Sequence, residues 1–111
     1  MPKFLGLITL SQSGAADLVD TGLAEHQDFF AHLVEASHGT LEGMWMSNVG
    51  DFDLVCIVDL PEGTSAEGAA ATLVRRSNGQ HTAERWIELV DMTAADSALA
   101  KLLPPARAAT G

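Results

Sequence analysis

Cysteine occurs once, at position 56, and lysine and arginine together only six times, against 15 aspartates and glutamates. A lone cysteine excludes an internal disulfide and a cysteine-rich metal site. The formal charge of −9 argues against nucleic acid, whose phosphates need clustered cations, and against anionic membrane surfaces. Arg75-Arg76 is the densest cationic stretch, and it is too short to make a basic patch. No apolar run approaches the roughly 20 residues of a membrane-spanning helix. The opening MPKFLGLITL carries one lysine and then alternates like a strand. It lacks the apolar core and small-residue cleavage site of a secretory leader, so a cytoplasmic protein is expected. There is no phosphate-binding glycine loop, and no G-x-S-x-G surrounds Ser11 or Ser13.

What remains is 111 residues, 47% of them apolar, enough for one domain with a real core. Residues 3–10 alternate as a strand and end at Ser-Gln-Ser-Gly. From Ala15 to about Ser37 the period becomes helical. Val19, Leu23, His26, Phe30, Leu33 and Val34 form one stripe, Ser13 is the expected N-cap, and Gly39 the expected stop. Gly22 inside this span costs about 1 kcal/mol relative to alanine and predicts a break or a kink. Residues 41–48 and 52–60 read as two further strands joined at Val49-Gly50-Asp51, a spacing that suits an antiparallel hairpin. Thr64 and Glu67 have capping-box spacing ahead of an alanine-rich helix that Asn78-Gly79 stops. Residues 81–91 make a fourth strand. Thr93 can cap a last helix over 94–103, which Pro104-Pro105 ends. Residues 1–103 are thus a single domain, and 104–111 are expected to be a flexible tail.

The order is β-α-β-β-α-β plus a C-terminal helix, the ferredoxin-like pattern: an α+β fold with a four-stranded antiparallel sheet and both main helices on one face. An open sheet face should be polar at alternate positions. Here Phe52, Leu54, Cys56 and Val58 face one way, and Val55 and Ile57 the other. Trp45 likewise opposes Met44 and Met46. With both faces apolar, a second copy is expected to cover the open one. That would give the dimeric α/β-barrel type, a homodimer or larger.

The start MPKF, the corner GDFDLVCIVDLP at 50–61 and the alanine-rich helix after it resemble the GYD-domain family of small bacterial proteins. The resemblance runs over roughly residues 1 to 103, with Phe52 where the family's signature has tyrosine. It implies the same ferredoxin-like, dimeric α/β-barrel fold, and it carries no assigned chemistry.

An apolar or aromatic small molecule bound between sheet and helices fits this pattern, and the chain's own residues suggest where. His26 falls on the apolar helical stripe, where an imidazole must be hydrogen-bonded or line a cavity, and it titrates in the range useful for acid–base work. Asp53 begins an apolar strand and needs a partner such as Lys3, Arg85 or a backbone amide. His26 and Asp53 are therefore the candidate catalytic residues of a cofactor-independent isomerase or cyclase. Trp45, Trp86, Phe30 and Met44 are the candidate ligand-binding residues. Trp86 shares a strand face with Thr82, Glu84 and Glu88. His32 is assigned to solvent and His38 to a helix end, while His81, which opens the fourth strand and could reach a cleft mouth, is assigned to a turn. No histidine pair has metal-ligand spacing. The competing readings are a ligand-sensing or assembly module without activity, and a haem protein with His26 or His81 as axial ligand.

Overall fold

The computed structural model describes residues 2–48, 50–63, 65–79 and 81–103, so the Thr64 cap and the expected tail at 104–111 lie outside the described residues. The elements are β1 (Lys3–Leu10), α1 (Gln12–Thr21), α2 (Leu23–Ala36), β2 (Thr40–Met46), β3 (Leu54–Asp59), α3 (Ser65–Ser77), β4 (His81–Leu89) and α4 (Met92–Leu102). The strands form one antiparallel sheet in the order β2-β3-β1-β4. This is the expected ferredoxin-like α+β topology, with the first helix in two pieces and α4 appended.

The break falls at Gly22, whose φ of 102° lies where only glycine is at ease. It also resets the helical phase. Gly14 and Leu18 are the buried residues of α1, while Val19 is 89% exposed, so the single stripe expected through Val19 and Leu23 does not exist. The cap of α1 is Ser11 rather than Ser13: the Ser11 hydroxyl accepts from the Gly14 amide at 2.9 Å. At the end of α2 the left-handed residue is His38 (φ 62°), not Gly39. The His38 amide donates to Glu35 and the Gly39 amide to Val34, closing a Schellman motif. Gly39 is required for space, because a Cβ there would sit 2.5 Å from the Asp59 carbonyl oxygen.

Alternation decides the two sheet faces. Ile8, Leu54, Cys56 and Val58 point inward and form the core with Phe30 and Val34 of α2. Cys56 is fully buried, and that burial pushes its thiol up to about 12, so it stays protonated and acts as a small apolar side chain. On the outer face Leu5, Leu7, Val55 and Ile57 are half-buried while Trp45 and Ile87 are exposed, with no described helix over them. α4 buries none of its residues: Met92, Leu99 and Leu102 are all exposed. No described helix is long and apolar enough to cross a membrane.

Candidate functional site: a buried ion network at the floor of an apolar cleft

Cross-strand pairing builds the floor. Gly6 of β1 stands between Cys56 and Trp86 on the inner face. Having no side chain, it leaves room for the Trp86 indole, two of whose ring carbons lie 2.4 and 2.6 Å from where a Cβ would be. The indole then meets Phe30 of α2 nearly parallel, at 19° and 6.3 Å between ring centres.

Glu84 shares that face two residues earlier, opposite Ile8. A carboxylate buried there must be compensated. Arg75 of α3 supplies the charge as a two-pronged donor, Nε to Oε2 at 2.7 Å and Nη2 to Oε1 at 2.6 Å. Trp86 Nε1 donates to Oε1 at 3.1 Å, and His81 Nδ1 lies 2.8 Å from Oε2. Thr72, one turn before Arg75, accepts from Nη2 at 3.0 Å and donates its own hydroxyl to the Gly68 carbonyl. Burial alone would raise the Glu84 carboxyl, but the donors from Arg75, His81 and Trp86 outweigh it and hold the group at about 2. The guanidinium also lies 5.1 Å from the Phe30 ring centre and 5.9 Å from that of Trp86.

His81 enters this network because β4 is irregular at its start. The pairing shifts between Thr9↔Ala83 and Leu10↔His81. One extra residue turns His81 inward, onto the same side as Glu84, instead of leaving it at a turn. Since a charged carboxylate only accepts, Nδ1 carries the proton toward Glu84, and Nε2 of neutral His81 is an acceptor. His26 packs edge-on to it, with ring centres 5.6 Å apart. Both Nε2 atoms are buried and have no hydrogen-bond partner among the described residues. Burial, and then the neighbouring His81, lower the His26 pKa below its ordinary 6.5.

Protonation of His26 therefore favours the unfolded chain. With the folded value below the unfolded one, stability is present above pH 6.5 and is lost as pH falls through the lower folded value. Urea unfolding of wild type and His26→Leu on either side of pH 6.5 checks this. The wild type should lose more of its midpoint on acidification than the variant does.

Above the floor lies a cleft of about 200 Å³ between the sheet, α2 and α3. Its walls are Phe4, Val58 and Leu60 from the sheet side, Phe30, Leu33, Val34 and Ser37 from α2, and Gly68, Ala71 and Thr72 from α3. Arg75 and Trp86 close the bottom. Of the residues expected to share a site, Phe30 and Trp86 come together here. His26 is close by but lies next to His81, and neither imidazole is among the cleft's lining residues. Met44 packs against the core beside Cys56 without lining the cleft. Trp45 is on the opposite face, paired with Val55 and 53% exposed, so the two tryptophans do not share a pocket.

Asp53 is also elsewhere. Its Oδ2 accepts from the Leu10 amide at 2.8 Å, its own amide donates to Ile8, and its carbonyl accepts from Ser47. Those bonds fasten the 47–53 corner to the end of β1, whereas the cleft adjoins the Phe4 and Val58 end. The backbone amide is the partner Asp53 takes, and it serves the corner. Arg75 and Glu84 are the site residues that sequence reasoning did not single out. Among the described residues, no three His, Cys, Asp or Glu side chains gather to hold a metal ion.

Neither a family model nor a curated protein matches the sequence. Among solved structures the chain is similar to the crystal structure of an uncharacterized NIPSNAP domain protein from Burkholderia xenovorans. The TM-score is 0.49 and the identity 13%, over 82% of this chain and 94% of that one.

Proposed function

We propose that this protein binds an apolar ring compound in the cleft between α2, α3 and the sheet, and that it does so as a homodimer. The supporting observation is the cleft itself, an apolar space of about 200 Å³ that ends on Arg75 and Trp86. Packed interiors leave few voids larger than a water molecule. A cavity of about 150 Å³ is already enough for a benzene-sized guest. A buried ion pair is weak evidence for stability, since apolar residues of the same volume often do as well or better. Its position at the end of an apolar cleft suits orienting a ligand.

The outer sheet face supports the dimer. An isologous interface needs one patch that complements itself, and Leu5, Leu7, Val55, Ile57 and Ile87 form an apolar patch bordered by Arg85 opposite Leu7 and by the Lys3–Asp59 pair. The bare side of α4, with Leu99 and Leu102 exposed, adds apolar area for a second copy to cover. Ile57→Glu places a charge at the centre of that face. By light scattering the wild type should be a dimer and the variant a monomer with unchanged circular dichroism.

Membership of the GYD family remains part of the proposal, carried by the residues from Gly50 to Pro61. An isomerase or cyclase is the second reading, and the observation favouring it is His81, oriented by Glu84 as carboxylates orient general bases. In that version His81 takes the acid–base role expected of His26, and Phe30 must shift to admit the substrate. A haem in the cleft would find no axial imidazole among its lining residues.

Binding is tested by titrating 2-acetonaphthone into the protein. Saturable binding is expected for wild type. It should be lost in Ala71→Phe, which fills the cleft from α3.

A further inference from the structure

The polar groups at the bottom of the cleft define what kind of ligand can end there. Resting on the cleft-binding reading, we infer that the ligand is a neutral ring compound presenting a hydrogen-bond acceptor such as a ring ketone, with neither a charge nor a donor at that end. Among the described side chains that a ligand at the bottom of the cleft can reach, the acceptors are engaged, since the unpartnered Nε2 of His81 is not part of the cleft lining. The two Glu84 oxygens take four donors: Arg75 Nε, Arg75 Nη2, His81 Nδ1 and Trp86 Nε1. The Thr72 hydroxyl accepts from Arg75 and donates to Gly68. The Ser37 hydroxyl, which donates to the Leu33 carbonyl, belongs to the C-terminal end of α2 and not to the floor. Trp86 Nε1 is used as well. What is left is Arg75 Nη1, which makes no hydrogen bond to a described residue although Arg75 lines the cleft.

A floor whose spare donors are the two N–H groups of Nη1, with no spare side-chain acceptor among the described residues lining it, selects by complementarity. A carbonyl oxygen accepts from Nη1 and leaves no polar group of the ligand unpaired. An alcohol or amine carries an N–H or O–H that finds no acceptor, and a buried unpaired donor is penalised. A carboxylate gains little either, because Glu84 already neutralises Arg75 and the whole chain carries −9. The flat faces of Phe30 and Trp86 beside the guanidinium favour a ring over a flexible acyl chain.

Four probes of one skeleton separate these terms: 2-acetonaphthone, naphthalene, 2-naphthol and 2-naphthoate, each titrated calorimetrically into the full chain. The ketone should bind about tenfold or more tighter than naphthalene and 2-naphthol, with the carboxylate weakest. In Arg75→Lys, which keeps a cation beside Glu84 but lacks the fork, the ketone's advantage over naphthalene should collapse. Naphthol or naphthoate binding as tightly as the ketone overturns the inference and leaves the cleft reading standing. So does naphthalene binding equally well. Failure of all four to bind overturns both.

Discussion

Glu84→Gln is expected to cost about 3–5 kcal/mol of folding stability, the range for removing one partner of a buried ion pair. The amide is nearly the same shape as the carboxylate, so little packing is lost. The loss is electrostatic: Arg75, with its side chain 7% exposed, keeps its charge and loses its counter-ion, while an amide NH₂ is forced among donors. Urea unfolding should show a lower midpoint at an unchanged slope. The double variant Arg75→Met/Glu84→Leu should cost far less than the two single changes added together, because no isolated charge remains. What persists is the loss of an acceptor by His81 Nδ1 and Trp86 Nε1, about 1–3 kcal/mol for each group.

Acid makes the same point. The Glu84 carboxyl titrates near 2 in the fold against 4.5 ordinarily. Its roughly 3 kcal/mol of stabilisation is therefore complete above pH 4.5 and is lost as pH falls toward 2. Glu84→Gln removes this component of acid unfolding, so its stability should change less across that window than the wild type's.

Gly6→Ala is the second large effect. A methyl group at this position would lie 2.4 and 2.6 Å from Trp86 ring carbons and 2.8 Å from Cys56 Sγ. Cys56 is fully buried inside the sheet and cannot retreat. The indole must move toward the cleft, leaving its bond to Glu84 and its stacking on Phe30. Overpacking of this kind costs about 1–3 kcal/mol, and the broken hydrogen bond adds to it. Stability should fall by about 2–4 kcal/mol, and 2-acetonaphthone binding should be lost because the ring occupies the ligand's place. Tryptophan emission would record the indole's changed surroundings.

Period-2 alternation was enough to sort the sheet faces. Leu54, Cys56 and Val58 are inward, Val55 and Ile57 outward, and Trp86 shares its side with Glu84, all as the sequence predicts. The break at Gly22 was also legible, from a glycine inside a helical pattern. Its consequence for Val19 was not, because the phase after a break depends on the turn taken. Glu84 on the face of Trp86 was the available signal for the ion network, since a carboxylate aimed into a core requires a cation. Choosing Arg75 as that cation needs the docking angle of α3, which no pattern in the chain specifies.

His81 was hidden for a different reason. Three residues from Glu84 in a regular strand, it should face the other way, and only the irregular pairing at Thr9 and Leu10 turns it inward. Trp45 and Trp86 looked equivalent as mid-strand tryptophans. Register separates them: Trp45 pairs with Val55 on the outside, Trp86 with Gly6 on the inside.

That separation also supplies the most direct measurement. In Trp45→Phe the sole tryptophan is Trp86, at the bottom of the cleft. Titrated with 2-acetonaphthone, this protein should show saturable quenching of its emission, and Trp45→Phe/Ala71→Phe should show none. Saturable quenching confined to the Trp86→Phe protein, or unchanged when Ala71→Phe fills the cleft, would place the binding site elsewhere and contradict the account.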